Sequence, residues 1–171
     1  MKWILRILSF VILVAVLLLV AGFALPEHTT HTRTITLKQP PEKVFAVLSD
    51  VPNLPKWNRN MANAEILAPR DGKETARESF KDGMSMIVVT TESSPPSHLV
   101  RTITEGDAPF TGSWSYAIAT IPDGSQVALT EKSDIPNPFF RVAMKIIGPT
   151  KYMDQHLEDL AKKFGETAII R

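Results

Sequence analysis

One run of the chain limits what the rest can be. Ile7 to Leu25 holds 19 residues without a charge, and its only polar side chain is Ser9. As a helix it would span roughly 28 Å, close to the hydrocarbon thickness of a bilayer. It is apolar on every side, which fits a span better than an amphipathic surface helix. Trp3 sits at one end, at the level of lipid headgroups, and Lys2 and Arg6 put positive charge before the run. The fifteen residues after it carry only Glu27, Arg33 and Lys38. The positive-inside bias then predicts a single-pass membrane segment over residues 7–25, with the N-terminus cytoplasmic and the domain on the extracytoplasmic side. A cleaved signal peptide is the competing expectation, because Gly22 and Ala24 offer small residues at a cut. Pro26 just past that cut and the length of the run favour the anchor.

The remaining residues are enough for one domain with a core of its own. The chain has no cysteine, which rules out disulfides, thiolate metal sites and a cysteine nucleophile. Without Lys2 and Arg6 its 19 basic residues fall to 17, against 18 acidic ones, and no basic run stands out. Nucleic-acid binding needs clustered positive charge, so it is not expected here.

The body reads as a strand, a helix, a short helical turn, a meander and a final helical region. His28 to Thr32 is a polar spacer, and Arg33 to Leu37 alternates as a strand. Pro41 starts a helix that buries Val44, Phe45 and Leu48. Pro52 and Pro55 break the chain, with Leu54 and Trp57 suggesting one short turn. Strands follow at 64–67, 74–80, 84–91, 99–104, 112–119 and 127–133. Asp71-Gly72, Asp82-Gly83 and Asp123-Gly124 are their turn signals. Asn137 is an N-cap with Pro138 at the first helical position. Phe139, Phe140, Ala143, Ile146 and Ile147 form an apolar stripe, Gly148-Pro149 interrupts it, and Met153, Leu157, Leu160 and Phe164 resume it up to Gly165. The expected division is an anchor at 1–27, one domain at 28–166 and a tail at 167–171.

This order resembles the START-like superfamily, in its polyketide cyclase/dehydrase and lipid-transport branch. The resemblance rests on Pro41-Glu42-Lys43-Val44-Phe45, on Asp50 to Trp57, on Gly112-Ser-Trp-Ser-Tyr, and on the last strand leading into Asn137-Pro-Phe-Phe and the long helix. It implies an α+β helix-grip fold, a curved antiparallel sheet of about seven strands around a long C-terminal helix. It also implies an apolar cavity for a lipid or other hydrophobic small molecule. Members of such a family include enzymes, carriers and interaction modules, so the fold alone does not give the activity.

Strand alternation names the candidate lining. Trp114, Tyr116 and Ile118 share one face, Leu129 shares one with Glu131, and Met84 shares one with Met86. Phe140, Met144 and Met153 are the helix contributions. Any of these apolar residues serves as plain core equally well. No nucleophile elbow, phosphate loop or dinucleotide fingerprint is present, and no catalytic set is assigned. Glu131, Arg101 and Tyr116 are the only residues that acid–base chemistry in the pocket could use. Trp57 reads as structural, and Glu131 as a strand-end carboxylate if it does not reach the cavity rim. His156 reads as part of a solvated helix face. His28 and His31 lack metal-ligand spacing, so neither metal nor cofactor is expected. The leading expectation is a membrane-anchored domain that binds a hydrophobic small molecule or lipid. A polyketide cyclase/dehydratase-type enzyme and an interaction module with a filled core are the alternatives.

Overall fold

A computed structural model describes residues 2–171. It contains helix α1 (Lys2–Ala24), strand β1 (His28–Leu37), helix α2 (Pro41–Ser49) and a 3-10 turn (Val51–Lys56). The meander is β2 (Met61–Arg70), β3 (Lys73–Phe80), β4 (Ser85–Ser94), β5 (His98–Gly106), β6 (Thr111–Ile121) and β7 (Gly124–Asp134). Helices α3 (Pro138–Ile147) and α4 (Lys151–Lys163) follow. The seven strands make one antiparallel sheet in the order β1-β7-β6-β5-β4-β3-β2, so the first strand closes against the last. This is the helix-grip architecture.

The strands run longer than alternation alone predicts. His28–Thr32 is not a spacer: it pairs with Asp134–Thr130 as the first half of β1. Its Thr and His side chains hide the pattern, because that half of the strand is nowhere fully buried. Residues 167–171 are not a free tail either. Arg171 and Thr34 exchange backbone hydrogen bonds at 3.0 and 2.9 Å, and Ala168 and Ile170 pack on the core. The C-terminus thereby covers part of the β1 edge, which would otherwise present open backbone groups.

The main core lies between the concave face of the sheet and α4. Ile35, Leu37, Leu99, Tyr116, Ile118, Val127 and Leu129 meet Met153, Leu157, Leu160 and Ala161, with Val44, Phe45 and Leu48 from α2 closing one end. Two smaller clusters flank it. One is built on Val51, Leu54, Met61, Ala64 and Ala76, the other on Met86, Val88 and Ile103.

Helix α1 is buried only at Gly22, and by length and composition it is long and apolar enough to cross a membrane, a test that a signal sequence also passes. Its last turn is the part that meets the domain. A Cβ on Gly22 would strike the Pro138 carbonyl, so only glycine permits that approach. The buried Arg141 side chain then uses all its N–H groups there. It donates to the carbonyls of Gly22, Leu25, Ile135 and Pro136 and to the Glu27 carboxylate, at 2.6 to 3.3 Å. Carbonyls at the end of α1, which have no partner inside the helix, are satisfied by this guanidinium. Asn137 caps α3 as its sequence position predicts, with its Oδ1 accepting from the N–H groups of Phe139 and Phe140.

Candidate functional site

The concave face is apolar with a polar interruption. In register across the sheet, Glu78 of β3 pairs with Met86, Val88 with Ile103, Arg101 with Trp114, and Tyr116 with Leu129. Glu78 is 2% exposed and Arg101 3%. Their closest approach, Nη1 to Oε1, is 3.8 Å, which is an ion-pair distance but too long for a hydrogen bond. Among the described residues, Glu78 Oε1 and Arg101 Nη2 have no hydrogen-bond partner. A buried orphan of this kind costs roughly 1–3 kcal/mol. Burial pushes the Glu78 carboxyl up from its ordinary range, and the Arg101 charge only partly offsets this.

Tyr116 and His156 form the second half of the interruption. Tyr116 Oη lies 2.9 Å from His156 Nε2, and Asn58 Nδ2 lies 3.2 Å from His156 Nδ1. Asn58 Oδ1 accepts from the Asn60 N–H at 3.0 Å, which turns the amide so that its NH2 faces the ring. Nδ1 is therefore an acceptor, and a neutral ring carries its proton on Nε2, donating to Tyr116 Oη. The phenolic proton of Tyr116 is left free to donate elsewhere. Burial pushes His156 down to about 4, with Asp159 pulling up and Arg101 pressing further down, so the ring is neutral at pH 7. Burial, first of all, pushes the Tyr116 hydroxyl above its ordinary range, so it keeps its proton. His156 is thus not on a solvated face. Asp159 is occupied by Arg59, which donates from its backbone N–H and from Nε at 2.7 and 2.8 Å.

Trp57 stands beside this group, and further aromatic rings lie along the sheet. The Trp57 ring stands 5.1 Å from that of His156, and Trp57 also packs against two of the three core clusters. Trp114 reaches both the main core and the Met86 cluster. At the end of the sheet nearest α1, Phe110 stacks on Phe140 of α3 at 6.0 Å. At the opposite end an open cleft of about 360 Å³ is bounded by Ser49, Lys73, Glu74, Thr90, Ser93 and Leu99. Glu74 connects that cleft to the interior, since its Oε1 lies 3.8 Å from Arg101 Nη2 and accepts from Thr90 Oγ1 at 3.0 Å.

The residues expected to line a cavity fall into three groups. Tyr116, Ile118, Leu129 and Met153 are fully buried in the main core, and Met86 is buried in its own cluster. Trp114 and Glu131 are half-buried and opposite one another in register, with Glu131 accepting from Ser133 Oγ at 2.7 Å. Met84, Phe140 and Met144 are half-buried. Glu78 and Asn58 were not legible as site residues. His156 does carry a signal in the sequence: Met153, His156, Leu157 and Leu160 are spaced i, i+3, i+4, i+7, which puts the ring on the buried stripe. One further grouping, Glu27, His28 and Asp134, brings potential ligand atoms within 4.8 Å of each other. It lies on the surface, and Glu27 is already held by Arg141.

A curved sheet gripping a C-terminal helix over a partly polar interior defines a START-like domain. The chain belongs to the polyketide cyclase / dehydrase and lipid transport family, whose model matches residues 28–165. No curated protein matches it in sequence. Among solved structures it is similar to an aromatase/cyclase from a Streptomyces species (16% identity, TM-score 0.65, covering 78% of this chain and 90% of that one). It is also similar to a START superfamily protein from Mycobacterium smegmatis (15%, 0.62, covering 81% and 99%). A major latex-like protein from Panax ginseng gives 14% and 0.65, covering 81% and 96%. At such identities these likenesses establish the fold.

Proposed function

We propose that the domain binds an amphiphilic small molecule, with an apolar body and a compact hydrogen-bonding head, while residues 7–25 hold it to a membrane. One observation carries the reading. A fully buried ion pair is held just too far apart to bond, and an oxygen of Glu78 and a nitrogen of Arg101 are left without hydrogen-bond partners among the described residues. Native interiors rarely leave such groups unpaired without a reason. A ligand head that accepts from Arg101 and donates to Glu78 would satisfy both. A carboxylic acid, an enol or a hydroxyl beside a carbonyl has that pattern. Trp57, Trp114 and the Met86 cluster supply the apolar walls. The apolar body would contribute roughly 25 cal/mol per Å² buried, before ordering costs. Lys2 and Arg6 orient the anchor with its N-terminus in the cytoplasm and the domain on the far side.

The test is native mass spectrometry of the full chain, extracted in polymer-bounded nanodiscs and released inside the instrument. A small molecule retained by the wild type and lost in Arg101→Met supports the reading. No retained mass, or equal retention by the variant, overturns it. A second reading, a cyclase- or dehydratase-type reaction, is favoured by the free phenolic proton of Tyr116 beside a neutral His156. It predicts that Tyr116→Phe keeps the ligand and loses its conversion.

A further inference from the structure

Helix α3 has more apolar surface than the protein covers. At 100° per residue its apolar side chains, from Val142 through Ile146, Phe139, Ala143, Ile147 and Phe140 to Met144, fill an arc of roughly 200°. One flank of the arc is used, since Phe140 stacks on Phe110. The side opposite the arc, with Pro138 and Arg141, is fixed to the end of α1. What remains is open: Phe139 is 46% exposed, Ile147 44% and Ile146 78%.

We infer that this open face lies in the surface of the lipid bilayer, as a second membrane contact parallel to the headgroup plane. The inference rests on reading α1 as a membrane span. Two observations choose lipid as the occupant. The first is depth. Gly22 in the last turn of α1 and Leu25 just past it, whose carbonyls Arg141 holds, lie within the final four residues of the apolar run, so α3 begins within a turn of the level where that run leaves the hydrocarbon. The second is the pattern of the helix itself. It has a wide apolar arc, with Lys145 exposed on the opposite side and Lys151 just beyond its end. That is the composition of helices that lie in a membrane interface, with basic stems reaching back to the headgroups. The same placement brings the Phe110 end of the sheet closest to the membrane, so an amphiphile leaving the bilayer would meet that end first.

The chain has no cysteine, so single cysteines can be spin-labelled without ambiguity. Three full-length variants would be reconstituted in vesicles of phosphatidylcholine with a minority of phosphatidylglycerol: Ile146→Cys on α3, Leu13→Cys in α1, and Asp123→Cys in the β6–β7 turn. Collisional relaxation by oxygen is compared with that by a water-soluble nickel chelate present on both sides of the membrane. The expected result is a high oxygen-to-nickel ratio at 146, approaching that at 13 and unlike that at 123. A nickel-accessible label at 146 with a lipid-buried label at 13 overturns the α3 inference and leaves the anchor standing. Nickel access at both positions overturns the anchor and the inference with it. Protection from both reagents, or dipolar broadening between labels at 146, means that the face is covered by protein or by a second copy, and also overturns it.

Discussion

Helices α3 and α4 carry the same three- and four-residue apolar spacing and end in opposite surroundings. In α4, Met153, Leu157, Leu160 and Ala161 are 0–3% exposed inside the grip of the sheet. In α3, Ile146 and its neighbours stay uncovered. The break between them explains the split. Gly148 takes φ of 106°, a conformation that side chains resist, and Pro149 follows, so the helix axis need not continue. An amphipathic period therefore states that a face needs cover, and the direction of that face. Whether the sheet supplies the cover is decided by the Gly148-Pro149 break, which separates the buried face from the open one.

The largest expected effect is on the α4 side. Leu157→Ala should cost about 2–5 kcal/mol, because a fully buried leucine leaves a cavity that the sheet cannot close. Denaturant unfolding measures this, and a loss below 1 kcal/mol would mean that α4 is loosely held. His156, on the same helix face, should tie stability to pH. The unfolded ring takes its proton near its ordinary 6.5, whereas burial delays protonation in the fold to about 4. Stability should then fall by about 3 kcal/mol as pH drops from 6.5 to 4, and should level off below. Glu78, raised by burial, acts with the opposite sign above its ordinary value. The comparison to make is therefore wild type against His156→Gln across that range, where the difference in slope isolates the histidine. An unchanged slope would place the ring in water. Arg141→Met should cost about 1–3 kcal/mol for the carbonyls it leaves unpaired. It should also broaden the distance distribution between spin labels on α1 and on the domain. The smallest effect belongs to Ile146→Ser on α3. Measured in detergent solution it should change stability by no more than about 0.5 kcal/mol, as exposed positions do. A multi-kcal/mol loss there would show that α3 has a protein partner and erase the contrast with α4.

Much of the architecture was legible because local signals agree with the global fold. Asn137-Pro138 starts α3, Gly148-Pro149 ends it, and Asp-Gly pairs mark hairpins. Alternation on β6 points Trp114, Tyr116 and Ile118 inward. The polar interior was less legible for a physical reason. Glu78 lies on a strand whose other side chains are mostly polar or small, so nothing local marks it as buried. Its partner Arg101 lies two strands away and out of line, opposite Thr90 where Glu78 is opposite Met86, so only two long side chains converging across the concave face bring the charges together. Asn58 follows the 3-10 turn, and its role exists only because α4 passes beside it with His156. The apolar run could be read from its length, but its joint with the domain depends on Gly22 meeting Pro138 more than a hundred residues later.

That joint has a mechanical consequence. On the proposed anchoring, a flexible linker would leave the domain free to tumble above the lipid, sampling every orientation. Here a single guanidinium spans the corner between α1 and α3 and welds it. With α1 in a membrane as proposed, the domain would keep sliding in the plane and spinning about the membrane normal, but would lose the freedom to pitch and roll. Its search for the proposed ligand would then be one in two dimensions, with the same end always facing down.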